Sequence, residues 1–422
     1  MKISIIGCGY VGTVTGVCFA DLGNDIVFYD IDMEKLDHLS RGESPIYEPA
    51  LDDLIQKNRH RLTTTSDLTA AVRDTDITFI CVGTPSREDG SIDLTYVLSA
   101  AATIGKALRE TPDFHPIIVK STVFPGSTEG PVRSVLEEAS GKQAFVDFGL
   151  GSNPEFLREG SAVHDFSEPD RIVLGAKDAR TMRALGDLYT SFTCPKIETS
   201  IRTAEMIKYA SNAFLATKIS FANEIGNLAK KLGIDAEEVF AGVGLDSRIG
   251  PAFFRTGIGF GGSCFPKDVR ALIAGAGEHG EDLQILHAAL RVNEDQPMRL
   301  IRLLQQYIRD LSGRRIGILG LAFKPNTDDI RESRAIPIIR ALLDAGAEVV
   351  AYDPLAMESF ASLFPEIEYA SSAEIVLAAD AVLITTEWEE FERLDYSGTI
   401  VIDGRRIAAA SRTAKIYEGV CW

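Results

Sequence analysis

The chain opens on an apolar stretch from Lys2 that runs into Gly7-Cys8-Gly9-Tyr10-Val11-Gly12, after which apolar residues recur at helical spacing as far as Leu22. This order predicts strand, glycine turn, helix. Short apolar runs at Asp25 to Asp30, Ile77 to Val82 and Pro116 to Lys120 predict further strands, and helical stretches such as Leu94 to Arg109 alternate with them. The alternation predicts parallel βαβ units and a first α/β domain over residues 1–199.

From Ser200 to Lys231 the period changes. Ile207, Ala210, Phe214, Thr217, Phe221, Ile225, Leu228 and Leu232 step by three or four with no intervening proline, which predicts one helix of roughly 45 Å. A helix of that length joins domains or packs against a second subunit, so residues 200–310 read as a central helical and dimerisation domain. Within it, Gly242 to Lys267 is rich in glycine and lacks periodicity, and a long loop of that kind marks a site rather than a linker. A second α/β domain, residues 311–422, starts with a strand at Ile316 to Leu319 and a Gly317/Gly320 turn. A helix over Ala335 to Ala345 and strands at Val349 to Asp353, Ala381 to Thr385 and Thr399 to Asp403 follow.

Composition narrows the partners. A hydrophobic fraction of 45% with 25% charged residues is globular, and no apolar run approaches the roughly 18 residues of a membrane span. The amino terminus leads straight into a strand without a signal-peptide pattern, so the expected compartment is cytoplasmic. Six cysteines, Cys8, Cys18, Cys81, Cys194, Cys264 and Cys421, lack the paired spacing of a disulfide framework or a zinc site. With 43 Lys and Arg against 61 Asp and Glu, the net charge of -18 argues against nucleic acid or an anionic membrane as partner. An anionic small molecule would need a local cationic pocket.

The opening glycines supply the first candidate site. In Gly7-x-Gly9-x-x-Gly12 the first glycine permits a turn, the second lets backbone approach a pyrophosphate, and the third lets helix pack on strand. Asp30 follows at the end of the second strand, where a carboxylate accepts hydrogen bonds from ribose hydroxyls. With Asp32 beside it and no arginine there, NAD is favoured over NADP. The architecture is thus α/β, with two Rossmann-like doubly wound domains joined by a long central helix. Thr84 in Val82-Gly83-Thr84-Pro85 and Thr122 in Lys120-Ser121-Thr122-Val123 each follow a strand, where they either line the cofactor crevice or cap turns.

Three other features are weak when taken singly. Lys208 and Asn212 share a helix face, where a lysine beside an apolar seam ordinarily snorkels to solvent. Asn153-Pro154-Glu155-Phe156-Leu157-Arg158-Glu159-Gly160 could be a turn and a short helix, and Cys264 could be a small buried hydrophobe. Together with Ser44-Pro45-Ile46-Tyr47-Glu48-Pro49, Gly259-Phe260-Gly261-Gly262-Ser263-Cys264-Phe265-Pro266-Lys267-Asp268 and Ala322-Phe323-Lys324-Pro325-Asn326-Thr327-Asp328-Asp329-Ile330-Arg331-Glu332-Ser333, they occur in an order that resembles the nucleotide-sugar dehydrogenases along nearly the whole chain. The group acting on UDP-glucose is the best match. One departure is Arg334, where that family often has proline.

The resemblance implies NAD-dependent oxidation of UDP-glucose at C6 to UDP-glucuronate in two hydride transfers. Cys264 would add to the intermediate aldehyde, giving a thiohemiacetal and then a thioester. Lys208 would stabilise oxyanions with Asn212 as a neutral donor, and Asp268 would accept the first proton through a water shared with Thr122 or Lys208. Glu155 would orient or activate the hydrolytic water. The glycines Gly259, Gly261 and Gly262 would bring backbone close to the sugar. Gly7, Gly9, Tyr10, Val11, Gly12, Asp30, Lys35, Thr84, Thr122, Glu155, Lys267 and Arg331 map to cofactor contacts, Arg331 also coupling the two α/β domains. Glu155, Phe156, Leu157, Arg158, Lys208 and Asn212 map to the nucleotide sugar, with Phe253, Phe254, Arg255, Thr256, Gly257, Gly261, Lys324 and Arg405. Arg248 would enter from the other subunit of a homodimer. Other nucleotide sugars remain alternatives: GDP-mannose enzymes tend to carry leucine where Phe265 stands, and UDP-N-acetylmannosamine enzymes histidine where Ser263 stands. So do a non-catalytic nucleotide-sugar sensor and a one-step hydroxyacid dehydrogenase.

Overall fold

The first apolar run is a strand, β1 (Lys2–Ile6), buried from Ile3 onward in the computed structural model, which describes residues 1–422. It belongs to a sheet with β2 (Asp25–Tyr29), β3 (Leu62–Thr65), β4 (Ile77–Ile80), β5 (Pro116–Val119), β6 (Gly149–Ser152), β7 (Ile172–Ala176) and β8 (Lys196–Thr199). The order is β3-β2-β1-β4-β5-β6-β7-β8, parallel throughout except for the antiparallel pair β6 and β7. Strand order reverses between β1 and β4, so a crevice opens beyond Ile6 and Ile80. The Gly7–Gly12 turn and the Val82–Pro85 segment follow these two strands. All four residues of β4 are buried, as helices on both faces of a parallel sheet require. Helix Tyr10–Asp21 is buried from Gly12 to Ala20, and Phe19 meets Phe79 with ring centroids 5.5 Å apart.

Two compact units emerge, Met1–Ser211 and Asn212–Trp422. The boundary lies within the long helix Ile201–Lys231, whose 31 residues span about 46 Å at 1.5 Å per residue. The second unit carries a wholly parallel sheet of β9 (Arg315–Leu319), β10 (Glu348–Tyr352), β11 (Glu368–Tyr369), β12 (Ala381–Ile384), β13 (Ile400–Asp403) and β14 (Ile416–Gly419), ordered β11-β10-β9-β12-β13-β14. It repeats the reversal, now between β9 and β12. The fold is therefore α/β with two doubly wound sheets, as the alternation predicts.

Two local expectations are corrected. Gly317 is no part of a turn: it lies inside β9, where a Cβ would come within 2.6 Å of Val376, and Gly320 alone turns the chain at φ +98°. The loop expected over residues 242–267 is shorter, because helix Ala236–Gly244 runs into its start and helix Phe265–Glu278 begins directly after Cys264.

Candidate active site

In the first unit, Gly7 takes φ +101° and a Cβ there would meet the Cys81 and Val82 backbone at 2.9 Å, while one on Gly12 would lie 1.8 Å from the Gly7 carbonyl oxygen. Packing therefore demands both. Gly9 differs: nothing lies within 4 Å of its Cβ position, and it caps helix Tyr10–Asp21 without a side-chain acceptor. This leaves the helix amino terminus open to an anion, the property a pyrophosphate needs. Asp30 braces the turn, its Oδ2 accepting the Cys8 N–H at 2.5 Å and its Oδ1 the Asp32 N–H at 2.9 Å. Each oxygen keeps a lone pair that could take a ribose hydroxyl. Nearby, Lys35 lies 3.5 Å from Asp32.

Past β4 and β5, Thr84 Oγ1 donates to the Thr122 carbonyl at 2.9 Å, tying the two crevice loops together. Lys120 is buried and donates to the Asn153 side-chain oxygen at 3.0 Å and its carbonyl at 3.3 Å. Burial brings its ammonium down to about 8. Asn153 in turn accepts the Tyr189 hydroxyl at 2.6 Å. Two residues on, Glu155 meets Lys208 of the long helix at 2.9 Å, with side chains only 6% and 4% exposed. Lys208 thus does not snorkel. Burial acts against the Glu155 charge, but Lys208, the Leu157 N–H at 2.5 Å and Lys120 outweigh it and hold the carboxyl below its ordinary range. Phe156 packs under Lys208 Nζ, 5.4 Å from its ring centroid, and Arg158 pairs with Asp165.

Glu48, which the sequence marks only as part of the Ser44–Pro49 motif, is buried and accepts the Gly160 and Ala162 N–H groups at 2.6 and 2.7 Å and the Tyr10 hydroxyl. It joins the glycine turn to the end of the Asn153–Gly160 segment. A buried carboxylate leaves no periodic signal that would reveal this.

In the second unit Cys264 is the amino-terminal cap of helix Phe265–Glu278, at the positive end of its dipole. Ser263 Oγ lies 3.5 Å from its sulfur. Asp268 is one turn further on, 1% exposed, and accepts Asn212 Nδ2 at 2.6 Å and Lys267 Nζ at 2.7 Å. The glycines before Cys264 are enforced by their surroundings: Cβ atoms would come within 2.5 Å of Asn293 at Gly259, 2.3 Å of the Glu332 carbonyl at Gly261 and 2.7 Å of the Phe323 ring at Gly262.

The Phe253–Gly257 segment and Arg405 come together in this unit. Arg255 donates to the Arg405 carbonyl at 2.7 Å and pairs with Glu387, and a Cβ on Gly257 would lie 3.6 Å from Arg405 Nη1. Phe253 adopts φ +66°, while Phe254 and Thr256 are buried. Two amides that no sequence motif marks hold the segment: Asn223 accepts the Gly257 N–H at 2.8 Å, and Gln296 donates to the Gly257 carbonyl at 2.8 Å. Lys324 lies 5.5 Å from the Phe323 ring centroid. Arg331 chelates Asp329, and Arg248, 86% exposed, pairs with Asp246.

Family models match the chain in three parts. The NAD binding domain of the UDP-glucose/GDP-mannose dehydrogenase family covers residues 1–193, its central domain 202–295 and its UDP binding domain 317–410. UDP-glucose 6-dehydrogenase AglM of Haloferax volcanii is 49% identical, with 100% of both chains covered. UDP-glucose 6-dehydrogenase TuaD of Bacillus subtilis is 45% identical over 96% of this chain and 89% of its own. GDP-mannose 6-dehydrogenase of Pseudomonas aeruginosa is 37% identical over 100% of each. Among solved structures, a UDP-glucose dehydrogenase from Pyrobaculum islandicum superposes with a TM-score of 0.97 at 48% identity, covering 100% of this chain and 98% of that one.

Proposed function

We propose, on the premise that this chain belongs to the UDP-glucose/GDP-mannose dehydrogenase family, that it is an NAD-dependent enzyme oxidising UDP-glucose at C6 to UDP-glucuronate. The observation that carries the chemistry is Cys264 at a helix start with the buried Asn212–Asp268 pair one turn on. A single hydride transfer needs no such cysteine. A four-electron oxidation needs a nucleophile, because an aldehyde has no second hydride to release until one adds to its carbonyl, and Cys264 can supply it.

NAD, when bound, supplies the acceptor for both hydrides. Gly7, Gly9 and Gly12 fit its pyrophosphate, Asp30 its ribose, and Thr84 and Thr122 the crevice beyond. Asp268 takes the C6 hydroxyl proton directly or through water, with Asn212 fixing its orientation. Lys208 stabilises the oxyanions that form at C6, and Glu155, hydrogen-bonded to it, holds that ammonium in place. The Cys264 thiolate bonds to C6 of the aldehyde, and loss of the remaining C6 hydride leaves a thioester. Water oriented by Glu155 then cleaves the C–S bond, releasing the carboxylate and restoring the thiol.

The Phe253–Gly257 backbone, Arg405, Lys324 and the Phe156–Arg158 turn bind the nucleotide sugar, supplying local cations to a chain of net charge -18. On the long helix Phe214, Phe221, Leu228 and Leu232 are 65%, 49%, 54% and 63% exposed, an apolar row suited to a second copy. We take the enzyme to be a homodimer, with Arg248 reaching the other subunit's site. The six free thiols suit a reducing cytoplasm. An NADH assay across UDP and GDP sugars, with products identified by mass, tests the substrate. UDP-glucose should give the highest kcat/KM, and a preference for GDP-mannose would refute that choice.

A further inference from the structure

Glu332 sits in the left-handed region at φ +53°, which a non-glycine residue keeps only when its surroundings over-determine it. Two arginines do so here. Arg270, on the helix that begins after Cys264, donates to Glu332 Oε1 at 2.7 Å. Arg334 donates to Oε2 at 3.1 Å and, through Nη2 and Nε, to the Glu332 carbonyl at 2.9 and 3.1 Å. Arg334 is itself 7% exposed. Burial opposes the Glu332 charge, but Arg270 and Arg334 outweigh it and keep the carboxyl below its usual range.

The fixed turn meets the cysteine loop at two consecutive residues. Gly261 presses on the Glu332 carbonyl, leaving no room for a side chain, and the Gly262 N–H donates to the Arg331 carbonyl at 2.9 Å. Arg270 ties the same turn to the helix on the far side of Cys264. The sulfur-bearing residue is therefore held from both directions by one strained turn.

We propose that Glu332, locked by Arg270 and Arg334, is a positioning residue that sets where Cys264 stands. The φ of -69° and ψ of -13° at Arg334 are values a proline accepts, so the guanidinium can be deleted while that backbone is kept. The inference rests on Cys264 being the nucleophile.

Arg334→Pro keeps that backbone and deletes the guanidinium, and Glu332→Ala deletes the lock while leaving the left-handed strain. In folded protein each should lower kcat about tenfold or more, with both KM values within about twofold, because a small misplacement of a reacting group costs rate rather than binding. Iodoacetamide labelling followed by peptide mapping should show an altered alkylation rate at Cys264 and an unchanged one at Cys194. Arg334→Lys, which keeps a cationic donor group, should recover part of kcat. Arg270→Gln, at a half-exposed side chain, gives the same readout if Glu332→Ala does not fold. Wild-type kcat and Cys264 alkylation in folded Arg334→Pro, or a rise in KM alone, would overturn the inference while leaving a two-NADH wild type intact. A wild type yielding one NADH per sugar would instead remove the nucleophile itself.

Discussion

Lys208 Nζ lies 2.9 Å from Glu155 Oε1, with both side chains almost wholly withdrawn from water. Removing Lys208 takes from the buried Glu155 the strongest influence that keeps it charged. Lys208→Met should therefore cost on the order of 3 kcal/mol in a denaturant titration and abolish turnover, whereas Lys208→Met with Glu155→Leu should regain most of that stability without activity. Unchanged stability in the single variant would mean that the pair is screened by water. The buried Asp268 carries a separate expectation: Asp268→Asn should lower kcat about a hundredfold with little change in KM, and an equal loss in KM would assign it to binding instead.

Asp30 gives the cofactor preference a handle. Its carboxylate holds the Cys8 and Asp32 amides on separate oxygens, so Asp30→Asn keeps an acceptor for only one of them while removing the charge that repels a 2'-phosphate. The ratio of kcat/KM for NADP to that for NAD should rise about tenfold. No change in that ratio would place the discrimination elsewhere.

Phe221 stands 49% exposed between Phe214 and Leu228 on one side of the long helix. Phe221→Glu should shift the protein toward monomer in sedimentation velocity at micromolar concentration, since a charge cannot be buried unpaired in an apolar contact. A monomeric wild type would dispose of the dimer outright.

His115 offers a pH test of the first unit. Burial brings its imidazole down from 6.5 to about 4, and its Nε2 lies 2.8 Å from Thr78 Oγ1. A base depressed in the folded state contributes stability that is complete above the unfolded value and lost as pH falls through the folded one. Between pH 6.5 and 4, wild type should lose up to about 3 kcal/mol relative to His115→Gln. Parallel stability profiles for the two proteins would contradict this.

What the sequence made legible follows from what leaves a pattern. Buried central strands such as β4 and β9 are continuous apolar runs, and the long helix is an uninterrupted period of three and four. Several strands it concealed are edges or carry little apolar content: β3 is Leu-Thr-Thr-Thr, β6 is Gly-Leu-Gly-Ser, and β8 is mostly exposed Lys-Ile-Glu-Thr, whereas the equally concealed β7, Ile-Val-Leu-Gly-Ala, is buried and apolar. Gly317 was misread because a glycine that makes room for Val376 inside a strand looks, in sequence, like one that turns the chain. At the site, ordered motifs gave Cys264, Lys208, Asn212 and Asp268 as candidates. The partners that hold the surrounding backbone, Glu48, Asn223, Gln296 and Glu332, act through contacts between distant segments, which no local spacing encodes.

The most direct test of the central claim is the NADH yield of Cys264→Ala given limiting UDP-glucose and excess NAD. Wild type should form two NADH per sugar, and the variant should stop at no more than one, with the C6 aldehyde or its hydrate as the only oxidised sugar. Two NADH and UDP-glucuronate from Cys264→Ala would contradict a covalent route through that sulfur.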